Sequence, residues 1–574
     1  MVKSTPVLFK TSFRTLIFLT LLCAQKTHAQ SVVSEIELTD VQRMQQLLDT
    51  QRIPQRAFFI RSSSRYQDSI STPRKLLQWP AFRLLHAGFT RQVNTDLPIT
   101  DNDGLLLPAI GQQQRASAGI FMQWFLFSVQ VQPEWMVAEN RAPAPFTRDP
   151  ADPNYLSRYY HYIVNKIDLF ERIGTDRQER FTRGQSSIRF GWKDISMGIS
   201  NENLWWGPGR RNSLVLTNTA PGFYQQTIQS RKPIRTPIGS FEFQVIRGQL
   251  DTARYESPDH VMMRNFWAGG ILEKTNARRG IWGFVFNWNP KWLPGLSLGA
   301  AGTEYRYLDS VGVNDTYLLM PSENQPSRAR LGALMLRYAM PQEHAEIYAE
   351  YGRGNQFASP FNIWSDTIPT AYVLGARKLF PLRSGKLGNM EFSAELTQLQ
   401  LPDARLIFNS AGIFGIPRTN SWYTHPYITQ GYTHGAEALG ASIGPGSNAQ
   451  RIDIAWVKGY KRIAIFGERV ARNTDFNYYN YLTGNLGYGY PDRQWVDLHY
   501  GAQLRWDWGP LMLMAHWQQT TALNYRWTKL EGGFSEASPS SDRSNTRLQL
   551  GLFYQMQRME GKAFWWWKRR QAQH

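Results

Sequence analysis

The chain is 574 residues long, 42% hydrophobic and 14% aromatic, with 21 Trp, a formal charge of +19 and a mean hydropathy of −0.44. One cysteine excludes a disulfide framework and a thiolate metal centre. The excess of cations favours a polyanion, whether nucleic acid, lipopolysaccharide phosphates or an acidic polysaccharide, with a solvated arginine-rich surface as the alternative reading.

Taken in chain order, residues 1–29 read as a secretory signal peptide. Lys3, Lys10 and Arg14 precede a short apolar core at 16–24, and Thr27-His28-Ala29 offers a small residue before the cut. About nine apolar residues are too few to cross a bilayer as a helix. Cys23 lies inside this segment, and bulky Leu22 before it argues against acylation. The mature chain then has no cysteine.

Residues 30–110 are expected to form a helical, partly irregular periplasmic appendage or barrel plug. Val41, Met44, Leu47 and Leu48 fall at helical spacing, with Thr39 or Asp40 as N-cap. A second short helix is expected over 75–87, interrupted at Pro80.

From 111 to 557 the pattern is two-sided. In the run from Trp495 to Trp508, Val496, Leu498, Tyr500, Ala502, Leu504, Trp506 and Trp508 alternate with Asp497, His499, Gln503, Arg505 and Asp507. Successive side chains of a strand point to opposite faces, so one face is oily and the other charged. The same alternation recurs at 127–132, 344–351, 390–397, 451–456 and 547–555. Repeated segments of this kind, separated by turn residues, are the signature of an antiparallel outer-membrane β-barrel, here of about 16–18 strands. Polar stretches at 143–155, 309–326 and 415–448 would be extracellular loops or lumen filling. Residues 558–574, with Trp565-Trp566-Trp567 before Lys568, form a basic aromatic tail that reads equally as an interfacial anchor or an extension.

Two segments could carry binding. Trp205, Trp206, Arg210 and Arg211 flank a Gly-Pro-Gly turn, and aromatic faces beside guanidinium forks suit sugars and their carboxylates. Trp422, Tyr423 and Tyr432 form a second group. For both, the competing reading is a structural turn with girdle aromatics. His425 and His434, nine residues apart with no helical spacing, read as solvated loop residues and not as a metal pair. Glu202 is a lone candidate acid with no identifiable partner, so no catalytic residue, cofactor or metal is predicted.

These clusters also carry a resemblance. Asn201-Glu202-Asn203-Leu204-Trp205-Trp206-Gly207-Pro208-Gly209, then Asn212-Ser213-Leu214, Ala220-Pro221-Gly222-Phe223 and Pro237-Ile238-Gly239, resemble the capsule assembly Wzi family. Gly431-Tyr432-Thr433, Leu439-Gly440 and Ile443-Gly444-Pro445-Gly446-Ser447 follow in the family's order, and Ser117-Ala118-Gly119 and Pro133-Glu134 precede. The resemblance implies an outer-membrane barrel of about eighteen strands with a helical element at its periplasmic end. It also implies a lectin-like, non-enzymatic role in assembling or attaching capsular or other extracellular polysaccharide. The expected partners are that polysaccharide, outer-membrane lipid and lipopolysaccharide, with no nucleic acid. A porin-like channel for small solutes is the alternative, its selectivity set by a lumen face including Asp497, His499, Arg505 and Asp507. A barrel enzyme using Glu202 is a third reading.

Overall fold

The computed structural model describes residues 35–50, 56–62, 80–144, 155–169, 171–252, 272, 274–308, 328–354, 369–401, 420–483, 494–527 and 542–554. The predicted signal peptide, the basic aromatic tail and the polar stretch at 309–326 lie outside them.

Recurrent alternation closes a single antiparallel barrel. Its staves are β1 (Ala81–Leu84 continued by Ala87–Asn94), β2 (Gly111–Ser117, Ile120–Trp124), β3 (Phe127–Val131, Glu134–Ala138) and β4 (Gln178–Thr182, Ser187–Trp192). Next come β5 (Ile195–Ser200), β6 (Gln225–Ser230, Ile234–Thr236), β7 (Gly239–Leu250), β8 (Arg279–Pro290), β9 (Leu296–Tyr307) and β10 (Ala329–Met340). The rest are β11 (Ala345–Gly354), β12 (Thr370–Pro381), β13 (Asn389–Gln398), β14 (Asn448–Lys458), β15 (Lys461–Arg472), β16 (Trp495–Trp508), β17 (Leu511–Leu523) and β18 (Arg543–Tyr554). Each pairs with the next, and β18 pairs with β1 from Arg547↔Asn94 to Tyr554↔Ala87. Among the described residues the barrel therefore has eighteen staves, five of them built from two strands. Closure satisfies every edge internally, which is what a sheet needs in hydrocarbon.

The wall starts at Ala81, thirty residues before the position where the alternating pattern becomes clear, so 81–94 belongs to the barrel and not to an appendage. The short helix expected over 75–87 is likewise replaced at 81–84 by a strand paired with Ile120–Gln123. Ala81-Phe82-Arg83-Leu84 is too short to reveal a period, and its pairing with β2 decides its state.

The faces fall as alternation requires. On β16, Leu498, Tyr500 and Trp508 are exposed outward while Asp497, His499 and Arg505 are buried inward. On β11 and β13, Ile347, Tyr351 and Phe392 face out, and Glu346, Glu350, Glu391 and Glu395 face the lumen. The outer surface is thus greased for lipid and the inside polar.

Even-to-odd connections are short: residues 125–126, 193–194, 237–238, 459–460 and 509–510 each join two staves. Odd-to-even connections are long, as at 201–224 and 399–447. Short turns mark the periplasmic end of such barrels and long loops the extracellular end. Helix α1 (Glu35–Leu48) lies across the short-turn end, with Met44 and Leu47 packed on Ala339, Leu379, Ala455, Val457 and Ala464. Because α1 already runs from Glu35, Thr39 and Asp40 are interior residues and cap nothing. At the opposite end α2 (Tyr155–Tyr162) and α3 (Thr474–Thr483) pack through aromatics: Tyr162 stacks on Tyr479 at 4.6 Å, and Tyr159 meets Phe476 edge-on at 5.3 Å.

Candidate functional site

Two long loops turn back into the barrel instead of projecting from it. Residues 201–224 descend until Trp205–Trp206 form a two-residue antiparallel pairing with Ile60–Arg61 of the N-terminal segment. Trp206 Nε1 donates to Gln244 Oε1 at 2.7 Å, and its ring lies over Gly283, where a side chain would collide with it. The Arg61 guanidinium sits 4.9 Å above the Trp205 ring and donates to the Gly207 and Gly209 carbonyls at 3.0 and 2.9 Å. Arg43 of α1 donates to Pro208 O at 2.7 Å.

Acids of the wall hold the turn that follows. Glu350 accepts the N–H groups of Gly209 and Leu214 at 3.1 and 2.9 Å and the Ser213 hydroxyl at 3.1 Å. Glu395 accepts backbone N–H from Arg210, Arg211 and Asn212, each with a closest contact of 2.7–3.0 Å, and the Tyr348 hydroxyl at 2.7 Å. The Arg210 side chain bridges Asp40 of α1 and Glu391 of β13, both at 3.1 Å. Arg211 pairs with Asp101 and with Glu468 of β15. Burial pulls Arg211 down to about 10, with Glu468 opposing and Arg451 assisting that shift. For Asp40 burial pushes upward, but Arg210 and Arg377 outweigh it and hold the carboxyl well below its usual range.

The second loop, 420–447, locks onto the first. Tyr423 donates its hydroxyl proton to Leu214 O and accepts from Ala441 N–H, both at 2.8 Å. Its ring stacks on Tyr432 at 5.6 Å, and Tyr432 OH accepts from Thr303 at 3.1 Å. Thr217 N–H donates to Leu439 O at 2.8 Å, and Ser442 N–H to Asn212 Oδ1 at 3.2 Å. Trp422 fills a gap beside Gly352.

The two predicted clusters are therefore brought together, but in the lumen. Trp205, Trp206, Trp422, Tyr423 and Tyr432 are all 2% exposed or less, so they cannot stack on a sugar from an outer loop as expected. Trp206, Trp422, Tyr423 and Tyr432 form the apolar heart of a plug, and Trp205 lies beneath the Arg61 guanidinium. Arg210 and Arg211 are engaged by wall and helix carboxylates and offer no open fork to a ligand. The competing reading, structural turns, describes these residues.

Other expectations change similarly. Glu202 is buried and pairs with Arg189 of β4 at 3.1 Å, which accounts for its charge structurally. His425 and His434 are buried and not solvated. His425 Nδ1 accepts the Ile428 N–H at 2.9 Å, His434 Nδ1 accepts that of Asp251 at 3.0 Å, and burial lowers each imidazole to about 4. Nδ1 of each ring is committed as a hydrogen-bond acceptor, and no metal-binding group of side chains occurs among the described residues. The porin-type lumen face is also occupied: Asp497 accepts from Arg472 at 2.7 Å, and Arg505 donates to Tyr460 O at 2.7 Å.

Sequence reasoning missed Tyr427, 65% exposed on the plug loop beside His425, and exposed Arg177 ahead of β4. Both stand at the long-loop end. Neither sits in an alternating run, so no periodic signal marks them.

The profile of the capsule assembly protein Wzi family matches residues 91–508. No curated protein sequence matches the chain. Among solved structures, Wzi of Escherichia coli is similar at 13% identity and a TM-score of 0.55, over 90% of this chain and 98% of that one. That protein is described as an outer membrane protein involved in group 1 capsule assembly and a carbohydrate-binding β-barrel. OccAB1 of Acinetobacter baumannii (10% identity, 85% of this chain, 99% of that one, TM-score 0.39) overlaps less. So does OprD of Pseudomonas aeruginosa (10% identity, 84% and 97%, TM-score 0.38).

Proposed function

Because the chain belongs to the capsule assembly protein Wzi family and is a bacterial outer-membrane β-barrel, we propose that it binds capsular polysaccharide at the cell surface and helps to assemble or attach it there. The observation that carries this reading is the family match, which spans the loops 201–224 and 420–447 that interlock in the lumen. A barrel filled by its own loops is a platform better than a conduit. The polymer rests on the long-loop end, with exposed Tyr427 and Arg177 as contacts, and not on the buried Trp205–Arg211 turn. Glu202, the acid singled out as a candidate for catalysis, is paired with Arg189, which favours binding over chemistry.

The test is a pull-down of capsular polysaccharide with purified mature protein at low and high salt, beside a Tyr427→Ala variant. Retention of polymer, weakened by that substitution, supports the reading, and salt sensitivity would expose the charge-driven share. Cells lacking the protein should shed polymer into the medium. Polymer that neither binds the protein nor is shed without it overturns the assignment.

A further inference from the structure

The short-turn end carries cations that the lumen network does not use. Inside the barrel, Arg210, Arg211, Arg377 and Arg451 each face at least one carboxylate. At the rim the balance is different. The short connections hold only two acids, Asp194 and Glu343, and each meets a lysine: Asp194 faces Lys232 at 3.0 Å and Glu343 faces Lys378 at 3.4 Å. Lys193, Lys291, Arg383, Lys386 and Lys458 are exposed, and no acid among the described residues pairs with them. Lys193 sits in the β4–β5 connection, Lys291 in β8–β9, and Arg383 and Lys386 in β12–β13 with Lys458, the last residue of β14, beside them, so the cations stand on three separate arcs of the circumference.

Lys193, Lys291 and Lys386 each have an exposed apolar neighbour at the same level. Lys193 Nζ lies 4.7 Å above the ring of Trp192, itself 60% exposed. Trp292 and Leu293 are exposed beside Lys291, and Leu387 beside Lys386. Lys458 donates to Lys386 O at 3.0 Å, tying two rim turns together. A ring of indole and aliphatic side chains with cations just beyond it fits a planar amphiphile: the apolar groups enter the acyl layer while lysine stems carry their charge to headgroup depth. A compact soluble polyanion would need all of the cations to converge, whereas Lys193 and Lys291 stand on turns apart from the Arg383, Lys386 and Lys458 group.

We propose that this rim binds the anionic headgroup phosphates of glycerophospholipids in the periplasmic leaflet, selecting phosphatidylglycerol-type lipid over zwitterionic lipid. Lys193, Lys291, Arg383, Lys386 and Lys458 supply the charge. Each cation near a charged membrane surface contributes independently and is screened by salt.

The test uses mature protein folded into vesicles of phosphatidylethanolamine alone, phosphatidylethanolamine with phosphatidylglycerol, or phosphatidylethanolamine with lipid A. Lipid retained after detergent extraction is then counted by native mass spectrometry. Wild type should retain phosphatidylglycerol preferentially, and the preference should fall at least about tenfold in K291Q/R383Q/K386Q/K458Q. R469Q, at the long-loop end, should leave it unchanged. The heat-dependent gel shift of a closed barrel shows that each variant is folded. Equal retention of both phospholipids by wild type, or an undiminished preference in the folded quadruple variant, overturns the proposal. So does retention of lipid A alone through these residues, which would assign the rim to the other leaflet.

Discussion

Arg210 and Asp40 meet at 3.1 Å inside the barrel, although Arg210 arrives on a loop from the extracellular end and Asp40 on a helix from the periplasmic end. Arg377 of β12 shares the same Asp40 oxygen at 3.1 Å, and Glu391 accepts from both arginines. The plug is therefore one structure held from two sides, and its ion pairs lie across the path a solute would take.

Removing the shared acid should loosen it. Asp40→Asn leaves two largely buried guanidinium groups short of a counter-charge, a loss on the order of 3 kcal/mol for a buried pair. The folded carboxyl titrates below its unfolded value, so its stabilisation is complete above about pH 4 and disappears only as pH falls through the depressed value. Wild type should thus keep the latch at pH 5, and the variant should unfold at lower denaturant at that pH. Planar bilayers supply the second readout. Wild type should give no steady large conductance, and one that did would restore the channel reading.

Glu395 tests the cradle beneath the Gly-Pro-Gly turn. It accepts three consecutive backbone N–H groups, and hydrogen bonds to a charged acceptor contribute about 1.5–3 kcal/mol each before non-additivity. Glu395→Ala should cost at least about 3 kcal/mol and expose 207–213 to protease. Glu395→Gln, which keeps a carbonyl acceptor, should recover part of that loss. Gly209→Ala should disrupt the same turn from the other side, because its Cβ would lie 1.8 Å from Asn212 O.

The wall was legible because its signal repeats: Glu391, Ser393, Glu395 and Thr397 against Met390, Phe392, Ala394 and Leu396 is a period of two that only a strand supplies. Residues 81–84 were not, since four residues hold no period and their state comes from β2. The plug was half legible. Its residues stood out by type, and the family's motifs drew attention to them, but whether Trp206 faces a sugar or Gln244 and Ile60 depends on contacts far along the chain. Adjacent tryptophans and arginines have the same composition in a lectin groove and in a buried plug. Asp40 is the sharpest case: helix-start chemistry suggested a cap, whereas its partner Arg210 lies 170 positions away.

His434 provides a pH-dependent test within the plug. Its imidazole is lowered to about 4, first by burial, and Nδ1 is committed as an acceptor from Asp251 N–H. A depressed base binds fewer protons folded than unfolded. Its contribution is therefore whole above about pH 6.5 and drains as pH falls towards 4, by roughly 3 kcal/mol at most. Glu437, in the same hairpin, is raised by burial and works in the opposite direction, so the bulk profile alone is ambiguous. His434→Asn keeps an acceptor and removes the titration. The difference between wild type and variant should shrink or invert between pH 7 and 5, and parallel curves would rule out a neutral buried imidazole.

The lipid face yields a paired prediction on one stave. Ile465 and Gly467 both point outward from β15, Ile465 at 60% exposure, and a Cβ added at Gly467 meets nothing within 4 Å. Ile465→Arg places a charge in hydrocarbon and should cost about 2–4 kcal/mol if the residue is near mid-depth. Gly467→Leu adds apolar surface to the same medium, removes a flexible residue from a strand and should stabilise slightly. Urea titrations of folding into lipid vesicles measure both. A water-facing strand would reverse the logic: there arginine would be tolerated and leucine would gain nothing. Opposite signs at positions two residues apart, on the same side of the same strand, are what a lipid-exposed barrel wall requires.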